Sequence, residues 1–250
     1  MAFILNNSGL IALGVLPSLV WLSFYFREDC HPEPKSLLAK TFLMGMIVAP
    51  IAIVFQLGFI KIIASIFLPE LSGPAAESAL SQRPEFFMWA ALVEEFIKFF
   101  AVSLIVFKNV EFDEPVDAMV YMIAAALGFA AIENILILFQ VIPSGAITAI
   151  STLALRFVGA TLLHALASAL LGYFLAISWF FQNHRKKLLI IGLTLATIFH
   201  FAFNMIISSF DSPASALLYT TSLLLVMAFL ISILFDRLKK RGHMANVANV

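Results

Sequence analysis

Glu94, Glu95 and Lys98 interrupt the run FFMWAALVEEFIKFFAVSLIVF (86–107), which is otherwise apolar except for Ser103. An ionisable side chain at membrane depth costs at least ~2.5 kcal/mol on insertion scales, so it seldom occurs without a partner or a task. Glu94 and Glu95 lie four and three residues before Lys98, close enough on a helix for both to meet its ammonium. One ammonium between two carboxylates pairs with one and leaves the other available, which is what a general base requires. Glu133, His164 and His200 sit inside further long apolar runs. His164 belongs to a stripe with Ala160, Ser168 and Gly172, and His200 to one with Ala196, Asn204 and Ser208, each at four-residue spacing. Small residues let helices approach closely in lipid, which brings both imidazoles toward one point. A third stripe, Tyr121, Ala125, Phe129 and Glu133, has Asn134 beside its last member. The candidate catalytic residues are therefore Glu94, Glu95, Lys98, Glu133, His164, His200 and Asn204. The plainer alternative is a set of buried charges and histidines that only ties helices together.

These groups need elements to carry them. Of 250 residues, 62% are hydrophobic and 12% charged, with a mean hydropathy of +1.02; soluble domains have roughly 45–50% and about 25%. That composition implies an all-α, polytopic helical membrane bundle forming a single domain over residues 1–250. The lone Cys30 excludes an internal disulfide and a cysteine-based zinc cluster. The N-terminus lacks the basic stretch of a cleavable signal peptide. A span needs about 20 apolar residues, which predicts seven transmembrane helices at 9–26, 37–58, 86–107, 117–141, 152–181, 188–209 and 215–235. The stretch 37–68 is apolar throughout, but as helix its 32 residues would reach ~48 Å against a ~30 Å core. The second span is therefore expected to end near Gly58. Residues 59–85 then form an interfacial or re-entrant segment, with Pro69, Gly73 and Pro74 as helix breakers, suited to cover an outward-facing cavity. Residues 236–250 are expected as a cytoplasmic tail.

The loops after spans one, three, five and seven, together with Lys40 at the start of span two, hold eleven Lys and Arg residues; the opposite side holds Arg83, and Lys61, Lys98 and Arg156 lie within or close to spans. The positive-inside rule then places the N-terminus outside and the C-terminus in the cytoplasm. Counted from the outer span ends, Glu94 and Glu133 lie eight residues deep, His200 nine and His164 twelve. At 1.5 Å per residue these depths are ~12–18 Å, one layer somewhat outside the midplane. Arg156 is expected to neutralise Glu133 or Glu85 or to snorkel outward, and Asp117 to cap its helix. His31 and His184 lie in charged loops and are expected to be solvated.

In this order the motifs resemble the PrsW intramembrane proteases, within the wider group of CAAX prenyl endopeptidases and bacteriocin-immunity proteins. The resemblance runs from FREDCHPEPKSLL before span two to span six. It rests on EExxK (Glu94, Glu95, Lys98), on VDAMVYMIAAALGFAAIEN with Phe129, Glu133 and Asn134, on RFVGATLLHA with Arg156 and His164, and on HFAFN with His200 and Asn204. CAAX endopeptidases have Arg, one residue further along, in place of Lys98, and His in place of Glu133, so prenyl-peptide processing is not expected. What the resemblance implies is proteolysis of a membrane-anchored protein, in the best-known branch the first cut in an anti-sigma factor. Nucleic acid is not an expected partner; the lipid bilayer is.

Peptide hydrolysis needs an activated water and donors for the tetrahedral oxyanion. Glu94 or Glu95 is expected to take the water's proton, with Lys98 setting the charge balance and His200 and Asn204 facing the oxyanion. Ser168, one turn from His164, is the best serine candidate for a covalent route. In a metal version His164 and His200, with Glu133 or another of the glutamates, hold Zn²⁺ in a three-ligand open site. In a metal-free version Glu and His polarise the water together. HExxH, which would decide for zinc, is lacking. The competing class is non-catalytic: an immunity-type binding protein, or a proton or ion carrier using the same layer. A carrier needs a polar path to both faces, whereas here the cytoplasmic halves of the spans are almost wholly apolar.

Overall fold

The computed structural model describes residues 7–28, 33–67, 74–210 and 212–248; Cys30, His31, Pro69 and Gly73 lie outside them. Among the described residues the elements are α1 (Asn7–Tyr25), α2 (Lys35–Phe67), α3 (Pro74–Ser81), α4 (Pro84–Ile105), α5 (Asp117–Val141), α6 (Ala146–Val158), α7 (Ala160–Phe180), α8 (Arg185–Ser209) and α9 (Pro213–Ala248), with no strand. A lipid-embedded backbone must satisfy its own hydrogen bonds, so helix is the expected form for these apolar runs. Among the described residues, six helical stretches are long and apolar enough to cross a membrane. With 22 residues, or ~33 Å, α4 is also of crossing length and differs from the six through its charges. The chain is a multi-pass membrane protein.

At the centre is α5, where every residue from Val116 to Ala131 is buried. Its AAALGFAA segment (124–131) lets neighbouring helices come very close. A Cβ on Gly128 would lie 1.9 Å from the Phe42 carbonyl oxygen, and one on Gly45 would lie 2.0 Å from that of Ala125. Backbones of α2 and α5 thus touch at two points where only glycine fits. On its other side α5 packs against α7, the second buried helix, which carries His164.

Three expected boundaries differ. Helix α2 does not end near Gly58 but continues to Phe67. A side chain at Gly58 would meet nothing within 4 Å, so nothing there breaks the helix. The extra turns pack on the start of α4, where Phe59 stacks on Trp89 with ring centroids 5.0 Å apart. The fifth span is two helices: the chain leaves helical geometry at Gly159 (φ −103°, ψ −98°), so Arg156 ends α6 rather than sitting inside the helix of His164. Carbonyls at a helix end lack intrahelical partners, and that of Phe157 accepts the Trp21 indole N–H of α1 at 2.8 Å. At the C-terminal end, α9 continues as helix through the expected tail to Ala248, with Leu234, Phe235 and Leu238 buried in succession.

At the end of the bundle holding the α5 N-terminus, the Tyr121 hydroxyl donates to the buried Glu33 carboxylate and pins the stretch entering α2. Asp117 accepts N–H bonds from Asp113 (3.1 Å) and Glu114 (2.8 Å), so its carboxylate braces the loop before α5 instead of capping the helix. His184 is exposed, as its loop position implied.

Candidate active site

Pro84 at the first position of α4, after an extended Arg83, starts the helix that holds the centre of the site. Successive residues on a helix point ~100° apart, and here the two adjacent glutamates face different neighbours. Glu95 is fully buried, and both its oxygens are engaged. Its Oε1 accepts from the Lys98 ammonium (2.8 Å) and from His200 Nδ1 on α8 (2.9 Å), and its Oε2 accepts from Ser168 Oγ on α7 (3.0 Å). Glu94 faces α2 instead. Its Oε1 accepts from Gln56 Nε2 at 2.9 Å, whereas its Oε2 is buried without a hydrogen-bond partner. Around that oxygen stand His200 Nε2 at 3.7 Å, His164 Nδ1 at 3.9 Å and Lys98 Nζ at 3.9 Å.

The hydrogen bonds fix the tautomers. Lys98 can only donate, so its 2.8 Å contact makes His164 Nδ1 an acceptor and leaves Nε2–H to donate to Glu133 Oε2, also at 2.8 Å. His200 donates Nδ1–H to Glu95 and in its neutral form keeps the lone pair of Nε2, which looks toward Glu94 Oε2. Two electron-pair donors thus face each other across 3.7 Å. Lys98 has no exposed surface, and its ammonium lies 4.7 Å from the Phe129 ring centroid. Three carboxylates (Glu94, Glu95, Glu133) meet two cations (Lys98, Arg156), leaving one negative charge that a proton or a metal cation would balance.

Glu133, Arg156 and Asn134 form the outer part of the network. Arg156 Nη2 binds Glu133 Oε2 at 3.1 Å, Arg156 Nε donates to Asn134 Oδ1 at 2.6 Å, and Asn134 Nδ2 donates to Thr161 Oγ1 at 3.1 Å. The break at Gly159 separates Arg156 from the helix of His164 and Thr161, and all three join one hydrogen-bonded chain. Side-chain exposure rises from zero at Glu95 and Lys98 through 10% at Glu94 to 26% at Glu133. The layer therefore opens toward the end of the bundle formed by the α5–α6 turn.

The structure brings six of the seven sequence candidates into direct contact. Asn204, one turn beyond His200, is half-buried and makes no hydrogen bond to the described residues. The geometry regroups the expected metal ligands: Glu94, rather than Glu133, joins His164 and His200 with donor atoms within 4.8 Å of one another. Those three could hold a metal ion; Glu133 is drawn off by Arg156. Ser168 donates to Glu95 and has no hydrogen bond to His164, which makes it a strut and not a nucleophile beside its base. Sequence reasoning missed Gln56, the one polar residue of α2 between Thr41 and Lys61, and Thr161.

Residues 33–234 match the family described as PrsW family intramembrane metalloprotease. Protease PrsW of Geobacillus kaustophilus is 34% identical over 200 residues, covering 79% of this chain and 79% of the relative. That of Oceanobacillus iheyensis is 31% identical over 236 residues, covering 94% and 96%. Protease PrsW of Bacillus subtilis is 27% identical over 205 residues, covering 81% and 84%. No solved structure matches the chain.

Proposed function

Because the chain belongs to the PrsW family of intramembrane metalloproteases, we propose that it hydrolyses a peptide bond of a membrane-anchored protein, with Glu94 taking the proton of the attacking water. One observation carries the assignment. Glu94 Oε2 is the buried carboxylate oxygen of the layer that accepts no hydrogen bond, and it faces the lone pair of His200 Nε2 at 3.7 Å. A water bridging that gap donates one hydrogen to each atom, which turns its own lone pair outward to attack a carbonyl carbon. Glu95 does not share this role, because both its oxygens are engaged in fixing Lys98, His200 and Ser168. It is the residue that keeps His200 in the tautomer able to accept.

The donor set fits the metal that the family description implies: an oxygen with nothing bound to it, an imidazole with a free lone pair, and a second imidazole beside them. With that ion present Glu94 Oε2 would be a ligand instead of the base: Glu94, His164 and His200 would hold it, His164 by exchanging Lys98 for it. A zinc ion bound there supplies Lewis-acid polarisation and lowers the pKa of water to ~7. The chain's own residues do the rest. Glu133, held by Arg156, orients His164 through Nε2. Asn204, on the His200 face of α8, is the amide available to donate to the developing oxyanion.

The eleven-to-one asymmetry of loop charges supports an outside N-terminus and a layer that opens extracytoplasmically, so the cut falls near that surface of the substrate's span. An anti-sigma factor is the substrate class suggested by the resemblance. The wholly apolar stretch Met122–Ala131 of α5 offers no polar path onward to the cytoplasm, as a carrier would need. In liposomes with a single-span reporter, wild type should release a product whose new terminus maps to the outer third of the span, and Glu94→Gln should release none. Cleavage by Glu94→Gln at the wild-type rate would remove Glu94 as the base.

A further inference from the structure

Glu94 owes its orientation to a helix that contributes nothing else to the polar layer. Among the described residues, the Gln56 amide on α2 is its one hydrogen-bond donor, at 2.9 Å to Oε1. The Lys98 ammonium stands 3.9 Å from Oε2, an ion pair without a hydrogen bond. A shift of Oε2 by about 1 Å would close that gap into a direct contact. Both Glu94 oxygens would then be engaged, as those of Glu95 already are, and Oε2 would be turned from His200 Nε2 toward the ammonium.

We propose that Gln56 is a positioning residue for the proteolytic site: its amide tethers Glu94 to α2, holds the carboxylate off Lys98 and keeps Oε2 turned toward the two imidazoles. This rests on the reading of Glu94 as the reactive carboxylate. Gln56 touches neither the peptide bond nor a bound ion, so its effect falls on turnover and on ion affinity rather than on substrate capture. Residues that orient metal ligands or bases from outside the site change affinity or activity by ~10–100-fold when removed.

Gln56 is half-buried at the seam of α2 and α4, so a near-isosteric replacement tests the tether without opening a cavity. Gln56→Met keeps the length and removes the donor; Gln56→Asn keeps the amide one methylene short. In liposomes with a single-span reporter, Gln56→Met should lower kcat by ~10–100-fold with KM within about twofold of wild type. Gln56→Asn should recover part of the loss. Calorimetric titration of purified, metal-stripped protein with Zn²⁺ should show an affinity ~10-fold weaker for Gln56→Met. Wild-type kcat together with wild-type Zn²⁺ affinity in a folded Gln56→Met overturns the proposal, and so does a loss confined to KM, which would make Gln56 a substrate contact. Should Gln56→Met fail to fold, Gln56→Asn read against Gln56→Leu carries the same comparison. The underlying reading fails separately, through an active Glu94→Gln.

Discussion

Neutralising Glu95 and neutralising Glu94 should produce opposite losses, although the two residues are adjacent and of one type. Three donors converge on the Glu95 carboxylate: Lys98 Nζ at 2.8 Å, His200 Nδ1 at 2.9 Å and Ser168 Oγ at 3.0 Å. In Glu95→Gln one oxygen becomes an NH2 donor, which the Ser168 hydroxyl can accept, but the fully buried Lys98 ammonium loses its close counter-charge. Breaking a buried pair by removing one partner costs about 3–5 kcal/mol. For a chain of this length each kcal/mol shifts the melting temperature by ~2–4 °C, which places the Glu95→Gln midpoint about 6–20 °C below wild type. In Glu94→Gln the amide oxygen still accepts from Gln56, and Oε2 had no hydrogen bond to lose. Its cost should be on the order of 1 kcal/mol or less, with cleavage abolished. Thermal unfolding in detergent, followed by the fluorescence of Trp21, Trp89 and Trp179, measures both. The double variant Glu95→Gln/Lys98→Met removes the stranded charge and should regain most of the lost stability, since a buried ion pair replaced by apolar groups is often neutral. Midpoints for the two single variants within about 2 °C of each other would refute the division of roles.

Two further outcomes follow from the packing and the charge pattern. A Cβ at Gly128 would lie 1.9 Å from the Phe42 carbonyl oxygen, so Gly128→Ala must push α2 off α5 and should lose at least ~1–3 kcal/mol of stability in thermal unfolding, whereas Gly58→Ala, with nothing within 4 Å, should be neutral or stabilising by up to about 1 kcal/mol. In a Cys30→Ser background, a cysteine at the exposed Ser144 should react with a membrane-impermeant maleimide on intact cells and one at the exposed Asn183 should not; the reverse pattern would invert the proposed orientation.

Which parts of the site were legible in the sequence follows from what each residue costs in lipid. Charged and imidazole groups inside apolar spans are expensive, so Glu94, Glu95, Lys98, Glu133, His164 and His200 stand out without any structure. Their shared depth implied the contacts that α4, α5, α7 and α8 make. Gln56 was invisible for the same reason in reverse: an uncharged amide costs less, and nothing in the spacing of α2 points it at α4. The separation of Glu94 from Glu95 was hidden too, because adjacent residues share every sequence pattern and diverge only when the ~100° between them meets particular neighbours. The metal grouping turned on Arg156. Once the chain breaks at Gly159, the guanidinium folds back onto Glu133, and the oxygen left open beside the imidazoles belongs to Glu94. Reactivity in this layer is therefore decided by saturation more than by residue type. Glu95 has both oxygens engaged by a cation, an imidazole and a hydroxyl, Glu133 meets a cation and an imidazole, and the residue with an oxygen to spare is held in place by one neutral amide from a neighbouring helix.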